Sequence, residues 1–298
     1  MSGLNELKSA LNLSVTKKKH RERSAAIAYS SSGKKYKAGM IESDTHLLNI
    51  APEQLALAFS AQNNDFKVNK VVALAEAPKR GELVSPITAK VLIDHARRTG
   101  EKIEYQITDL NGRTLFQIKD VRKLFGKIYA PAECLLSKVE GEKISPNKAK
   151  LKKGEKIENA LKAYALKGME RNFPTSDAAS GYGAAVLTRK GNLYFGGQYS
   201  SFEKRTNLHS EVAVVARALM EKDGQITHLG LVSSKFENEP CQMCGSCRQF
   251  LAEINRHFGL DIQIHLFSKN AGRSEKVRIK EYLPNQWTSK KWQNSSSR

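Results

Sequence analysis

Acidic residues are scarce in this chain: 30 Asp and Glu stand against 49 Lys and Arg, for a formal net charge of +19 over 298 residues. Cysteine is scarcer still, and four of them (Cys134, Cys241, Cys244 and Cys247) are too few for a disulfide scaffold. No apolar run approaches the roughly 18 residues that a membrane-crossing helix needs. The opening residues, Met1 to Lys8, hold no apolar stretch with a small-residue cleavage site, so no secretory signal is read there and a cytoplasmic protein is expected. The remainder is ordinary for a soluble globular chain, with 40% hydrophobic and 27% charged residues. At about 150 residues per domain, the length suggests two domains.

The positive charge is unevenly spread. Net charge is +4 over residues 1–23, +4 over 24–135, +5 over 136–172, zero over 173–267 and +6 over 268–298. A neutral C-terminal core is thus flanked by basic segments, which suit a polyanionic partner or serve as solvated tails.

Two halves repeat one order of elements. In the second half, Gly183–Thr188 and Asn192–Gly196 read as strands around the turn at Gly191, followed by a helix from Ser210 to Leu219 and a strand at Leu229–Ser233. A helix from Cys244 to Phe258 and strands at Ile262–Phe267 and Val277–Ile279 complete it. The first half offers strands at Ala25–Tyr29 and Lys35–Ala38, a helix at Pro52–Ala61, a strand at Val71–Ala75 and a helix at Ile87–Arg97. It closes with strands Ile103–Ile107 and Arg113–Ile118 around Asn111 and Gly112, a hairpin turn that makes this last pair antiparallel. The fold expected is α/β: two tandem three-layer α-β-α domains, each with a mixed sheet and an antiparallel final strand pair. The boundaries read from the sequence are a basic N-terminal extension at 1–23, a first domain at 24–135, a basic linker at 136–155, a second domain at 156–287 and a basic tail at 288–298. The apolar spacing of Ile157, Leu161, Tyr164 and Ala165 opens the second domain with a helix, which the run from Arg171 to Pro174 ends.

Chemistry concentrates in the second half. His209 and Glu211 begin one helix, and Cys244 and Cys247 begin another. Two cysteines three apart at a helix N-terminus can bring both sulfurs to one ion, and the positive helix end favours thiolates. His209, Cys244 and Cys247 give three zinc ligands and leave a fourth position for water, the pattern of a catalytic zinc. Glu211, on the first helical turn past the histidine, can carry a proton between that water and a substrate nitrogen. A purely structural Cys/His zinc site is the plainer reading of the same residues.

His209-x-Glu211 followed by Cys244-x-x-Cys247 resembles the signature of zinc deaminases acting on cytosine and adenine. The run Cys244-Gly245-Ser246-Cys247-Arg248-Gln249 is similar to the cytidine deaminase motif, and the stretches 259–266 and 281–284 resemble the family's sequence downstream of that motif. The likeness spans residues 156–287 and departs from the pattern at Met243, where the family has proline. A second register, on Glu239-Pro240-Cys241-Gln242-Met243-Cys244, resembles tRNA adenosine deaminases and would use Cys241 with Cys244. The resemblance implies one zinc per chain and hydrolysis of cytosine to uracil in cytidine or deoxycytidine, with ammonia released. Ser210 is then expected to hold the base through its backbone. The family reads ribose with an Asn-x-Glu motif, whose matching positions are Gln198 and Ser200; Ser200 lacks the carboxylate, while the first half has Met40 and Glu42 there. That departure and the charge map keep open a second substrate class, cytosine in RNA or single-stranded DNA held by the basic extensions. The first half resembles the same domain with its metal site erased, the ligands replaced by Ala51, Ile87 and Lys90 and Glu53 standing where Glu211 does. No membrane association is expected, a homodimer is, and Trp287 is expected to pack on the core.

Overall fold

Alternation along a strand sends successive side chains to opposite faces, and the first strand of each half uses both. Residues 2–15, 23–43, 48–76, 84–125, 143–174, 180–201 and 206–288 are described by the computed structural model. In β1 (Ser24–Ser30), Ala25 and Ile27 face Leu7, Ala10 and Leu11 of α1 (Ser2–Leu11), while Ala26 and Ala28 face the opposite layer. That layer holds α2 (Pro52–Gln62) and α3 (Pro86–Thr99). The sheet is completed by β2 (Lys35–Gly39), β3 (Val68–Ala75), β4 (Glu104–Thr108) and β5 (Thr114–Ile118), in the order β2-β1-β3-β4-β5. β3 and β4 are parallel, and β4 and β5 form the expected antiparallel hairpin, with Gly112 at φ +81°.

The second unit repeats this plan. It comprises α4 (Ile157–Met169), β7 (Tyr182–Thr188), β8 (Asn192–Gly197), α5 (Ser210–Met220), β9 (Ile226–Ser233), α6 (Gly245–His257), β10 (Gln263–Phe267) and β11 (Ser274–Arg278). Its sheet runs β11-β10-β9-β7-β8, with β6 (Lys148–Lys150) added beside β8. β9 and β10 are parallel, and β10 and β11 antiparallel. A short helix α7 (Ile279–Tyr282) comes next, so Ile279 starts a helix instead of ending a strand.

The duplication extends to fine detail. Ile41 bridges Val15 and Ile50 in the first unit as Tyr199 bridges Phe173 and Leu208 in the second. Asn64 and Lys222 come just after the equivalent helices α2 and α5, each in the left-handed region at φ 54°. Asp65 accepts hydrogen bonds from Ser30 and the Tyr36 hydroxyl, and Asp223 from Thr188, Asn192 and the Tyr194 hydroxyl.

Helices α2, α3, α5 and α6 share one apolar core between the inner faces of the two sheets. α1 and α4 cover the outer faces in separate clusters. Across the middle, the Arg217 guanidinium lies 5.2 Å from the Phe59 ring centroid, and Gln62 Nε2 donates to the Gly197 carbonyl at 3.4 Å. Residues 1–23, read from sequence as an extension, therefore contribute a packed helix. Lys17, Lys18 and Lys19 of that segment, Cys134, and Trp292 with the rest of the tail beyond Thr288 lie outside the described residues.

Close approach of α4 to its sheet depends on Gly183. A Cβ there would sit 2.1 Å from the Ala165 carbonyl oxygen and 2.2 Å from the Met169 nitrogen. Both are backbone atoms, so the helix itself must move. Gly183→Ala is expected to cost about 1–3 kcal/mol, as overpacking does, whereas Gly245→Ala, with no atom within 4 Å of its added Cβ, is expected to cost far less. Chemical denaturation of the two variants measures the difference.

Candidate metal centre

Two helix N-termini converge on one point. His209 is the N-cap residue of α5 and Cys244 that of α6, both with extended backbone (φ −64°, ψ 151° and φ −70°, ψ 160°). Cys247 lies in the first turn of α6 and is buried. The Cys244 and Cys247 sulfurs stand 3.4 and 3.3 Å from His209 Nδ1. All three donor atoms lie within 4.8 Å of one another. Tetrahedral ligands bound 2.0–2.3 Å from one zinc ion lie about 3.6 Å apart, so this donor set fits zinc in chemistry and in spacing. Among the described residues it is the one such group of His, Cys, Asp or Glu.

The electrostatics favour a thiolate. The hydrogen bond from the Cys247 thiol, with His209 adding to it, holds Cys244 down at about 4. His209 is raised in turn, chiefly by its contact with Cys244. Glu211 is 4% exposed, and burial lifts its carboxyl above the usual carboxylate range. Its Oε2 accepts from Ser210 Oγ at 3.1 Å, and Glu211 does not join the three-residue group.

Cys241 lies apart from the group. Its thiol, fully buried, donates to the Leu231 carbonyl at 3.1 Å, and burial pushes it up to about 12. The sequence left the Cys241–Cys244 register open; the geometry gathers Cys244 and Cys247 around His209.

A cavity of about 560 Å³ opens beside the group, lined by His209, Val212, Ser246, Cys247 and Phe250 of the second unit and by Asn49, Ile50 and Gln54 of the first. Gln198 and Ser200 are elsewhere. Gln198 Nε2 donates to Ser200 Oγ at 2.8 Å, and neither is among the described residues that line this cavity. Ser210 is fully buried behind His209.

Some residues that shape the centre carry little signal in the sequence. Arg248 Nε donates to the Met243 carbonyl at 2.9 Å, and its guanidinium lies 3.9 Å from the Tyr282 ring centroid, so α7 braces the approach to Cys244. Gln249 clamps the Trp287 backbone, accepting from its N–H at 3.0 Å and donating to its carbonyl at 2.9 Å. That clamp holds the main chain and turns the ring outward: Trp287 is 51% exposed instead of packed on the core. The Arg-Gln pair after Cys247 is the one trace of these contacts in the sequence.

The erased site of the first unit needs one correction. α3 starts with Ser85 as N-cap, as α6 starts with Cys244, and both helices end at a left-handed glycine, Gly100 and Gly259. The counterparts of Cys244 and Cys247 are therefore Ser85 and Thr88, and Ile87 and Lys90 face solvent. Ser85 Oγ donates to Thr88 Oγ1 at 3.0 Å and accepts from the Thr88 N–H at 3.0 Å. Ala51, the N-cap of α2, takes the place of His209. Glu53 is buried and accepts from the Tyr105 hydroxyl at 2.7 Å.

Cys247→Ala is expected to abolish zinc binding by the purified protein and Cys241→Ala to preserve it, as read by metal analysis after dialysis. The reverse pattern would sink the assignment. Ala51→His combined with Ser85→Cys and Thr88→Cys should add a second zinc per chain, while cysteines placed at 87 and 90 with the same histidine should not.

No family model matches the chain, and no curated protein matches it. Among solved structures, it is similar to cytidine deaminase from Burkholderia pseudomallei, at 20% identity and TM-score 0.39 over 43% of this chain and 98% of that one. It is also similar to the cytidine deaminases of Mycobacterium tuberculosis (21% identity, TM-score 0.36, 45% of this chain and 100% of that one) and Mycobacterium leprae (16%, 0.36, 44% and 100%).

Proposed function

We propose that the second unit is a zinc-dependent hydrolase that converts the cytosine of cytidine or deoxycytidine to uracil. One observation carries the reading: a buried carboxyl, Glu211, stands against a His209–Cys244–Cys247 group beside a cavity. Glu53 of the first unit is buried too, so what supports the reading is not burial alone but the placement of Glu211 beside both the donor group and the cavity.

His209, Cys244 and Cys247 would hold the ion. When bound there, zinc makes water acidic enough to lose a proton near neutral pH. Glu211 takes that proton and delivers it to N3 of the ring as oxygen bonds to C4. A second proton passes to the exocyclic amine, the C4–N bond breaks, and ammonia leaves. Burial raises the affinity of Glu211 for a proton, which brings it closer to an operating pH at which it can both accept and donate. In this reading the first unit binds no metal; Asn49, Ile50 and Gln54 wall the cavity. The Ser210 backbone, Gln198 and Ser200 are the proposed substrate contacts, the last two only if their loop moves toward the cavity on binding.

A second substrate class rests on two features. Ser200, whose hydroxyl accepts from Gln198 Nε2, offers no carboxylate to a ribose, and the chain carries a net charge of +19. Cytosine within RNA or single-stranded DNA is the alternative.

Glu211→Gln is expected to retain zinc and lose about 10²–10⁴-fold in turnover, the share supplied by general acid–base catalysis. Uridine release from free cytidine, set beside deamination of cytosine in RNA and single-stranded DNA, decides the substrate class. Near wild-type activity in Glu211→Gln would refute the assigned role.

A further inference from the structure

The three residues that precede His209 are each tied to the metal-free unit. Thr206 presents its carbonyl to Gln54 Nε2 at 2.6 Å. Asn207 accepts through Oδ1 from the Ser201 N–H at 2.7 Å, and Ser201 Oγ in turn donates to Asp94 of α3. Leu208 pairs with Tyr199 through two backbone hydrogen bonds of 2.8 and 2.9 Å. The Tyr199 hydroxyl lies 2.9 Å from His95 Nδ1. His95 Nε2 lies 3.0 Å from the Phe66 carbonyl, an acceptor only, so the ring proton sits on Nε2 and Nδ1 accepts from the tyrosine. Gln54, Asp94 and His95 therefore reach every residue of the segment that delivers His209 to its place.

We propose that the first unit is a positioning subunit for the metal centre: Gln54, Asp94 and His95 fix the backbone that presents His209, and so set the affinity and geometry of the ion. The inference rests on the reading of His209 as a zinc ligand.

Internal symmetry supplies the control. The equivalent bonds run the other way as well: Ser43 Oγ donates to Glu253 of α6 at 2.8 Å, and the Ser43 N–H donates to Asn49 at 2.8 Å. Among the described residues, the aromatic reinforcement lies on one side. On the metal-bearing side, Tyr199 stacks on Phe173 (centroids 4.9 Å apart, planes at 5°), His95 stacks on the same ring at 5.2 Å, and the buried Arg98 guanidinium lies 3.9 Å from its centroid. At the matching places on the erased side stand Ile41 for Tyr199, Val15 for Phe173 and Ile254 for His95. Simple adhesion between the units would be served equally on both sides. The polar and aromatic bolt is built where a ligand has to be held to a fraction of an ångström.

The test uses the full chain. Tyr199→Phe removes one hydroxyl and leaves the stack, and Gln54→Leu removes one donor; His95→Ala is the stronger but riskier change. Zinc dissociation constants come from competition with a chromophoric chelator, and geometry from the visible absorption of the cobalt-substituted protein. Tyr199→Phe and Gln54→Leu together are expected to weaken zinc about tenfold, within the range of outer-shell effects, and to shift the cobalt bands. Ser201→Ala is expected to weaken zinc in the same direction, and Ser43→Ala, its mirror image on the other side, should alter neither. Wild-type affinity and an unchanged spectrum in the double variant would overturn the inference, as would an equal loss in Ser43→Ala. A wild-type protein that binds no zinc would overturn the reading of the site itself, and the inference with it.

Discussion

Helices α2 and α5 meet in the middle of a core that both sheets share, and the candidate centre hangs on that contact. The Arg217 guanidinium over Phe59 sets the two helices side by side, and the Gln62 side chain ties the end of α2 to β8 at Gly197. α5 carries His209 and Glu211 at its N-terminus, so whatever fixes α5 against the first unit also fixes two groups of the centre. The other two donors of the group ride on α6, whose apolar face, with Phe250, Leu251 and Ile254, packs into the same core. Apolar burial on this scale is non-directional; the hydrogen bonds of Gln54, Asp94 and His95 add the direction that burial lacks.

Much of this was legible in the sequence because it repeats and because its turns are marked. Strand alternation, Gly112 and Gly191 at their turns, and the apolar stripes of α2 and α5 give the order of elements in both halves. α1 was not legible: Leu4, Leu7 and Leu11 make a thin stripe among Asn5, Glu6 and Lys8, and only the outer face of β1 gives it something to cover. β6 is Lys-Ala-Lys and has no pattern of its own; it is a strand because β8 offers it an edge. The His209–Cys244–Cys247 group was legible because it is carried by residue type and by a spacing of three. The brace around His209 was not, since Asp94 and Ser201, or His95 and Tyr199, lie about a hundred positions apart and each is ordinary alone.

The first half shows how the fold fills the positions equivalent to His209, Cys244 and Cys247 with side chains that do not bind metal. Proline at 86 invites an alignment that sets Ile87 and Lys90 against the cysteines, but a helix start is defined by its cap. Ser85 caps α3 by accepting from the Thr88 N–H. Burial of Glu53 is eased by the Tyr105 hydroxyl, whose counterpart strand in the second unit holds aliphatic Ile264. Both carboxylates accept from a neutral hydroxyl, Tyr105 in the first unit and Ser210 in the second, and the second also lies near His209.

The caps record the same division of labour in energetic terms. Neither His209 nor Cys244 makes a side-chain capping bond to its own helix, so α5 and α6 begin with N–H groups that no cap side chain satisfies. Replacing a good cap costs about 1 kcal/mol, and α6 forgoes a benefit that α3 secures with a single hydroxyl. The forgone bond is recovered if negative charge gathers between the two N-termini, because each helix end carries roughly half a positive charge. A thiolate at Cys244 supplies that charge, and its low proton affinity comes from the neighbours that share it. An ion held by His209, Cys244 and Cys247 would tie the starts of α5 and α6 to each other across the gap that the missing caps leave open. The starts of α5 and α6 lack a capping side chain, as does that of α2 with Ala51, while Ser85 caps α3; of these four starts, those of α5 and α6 bring together side chains that could bind an ion where a cap is missing.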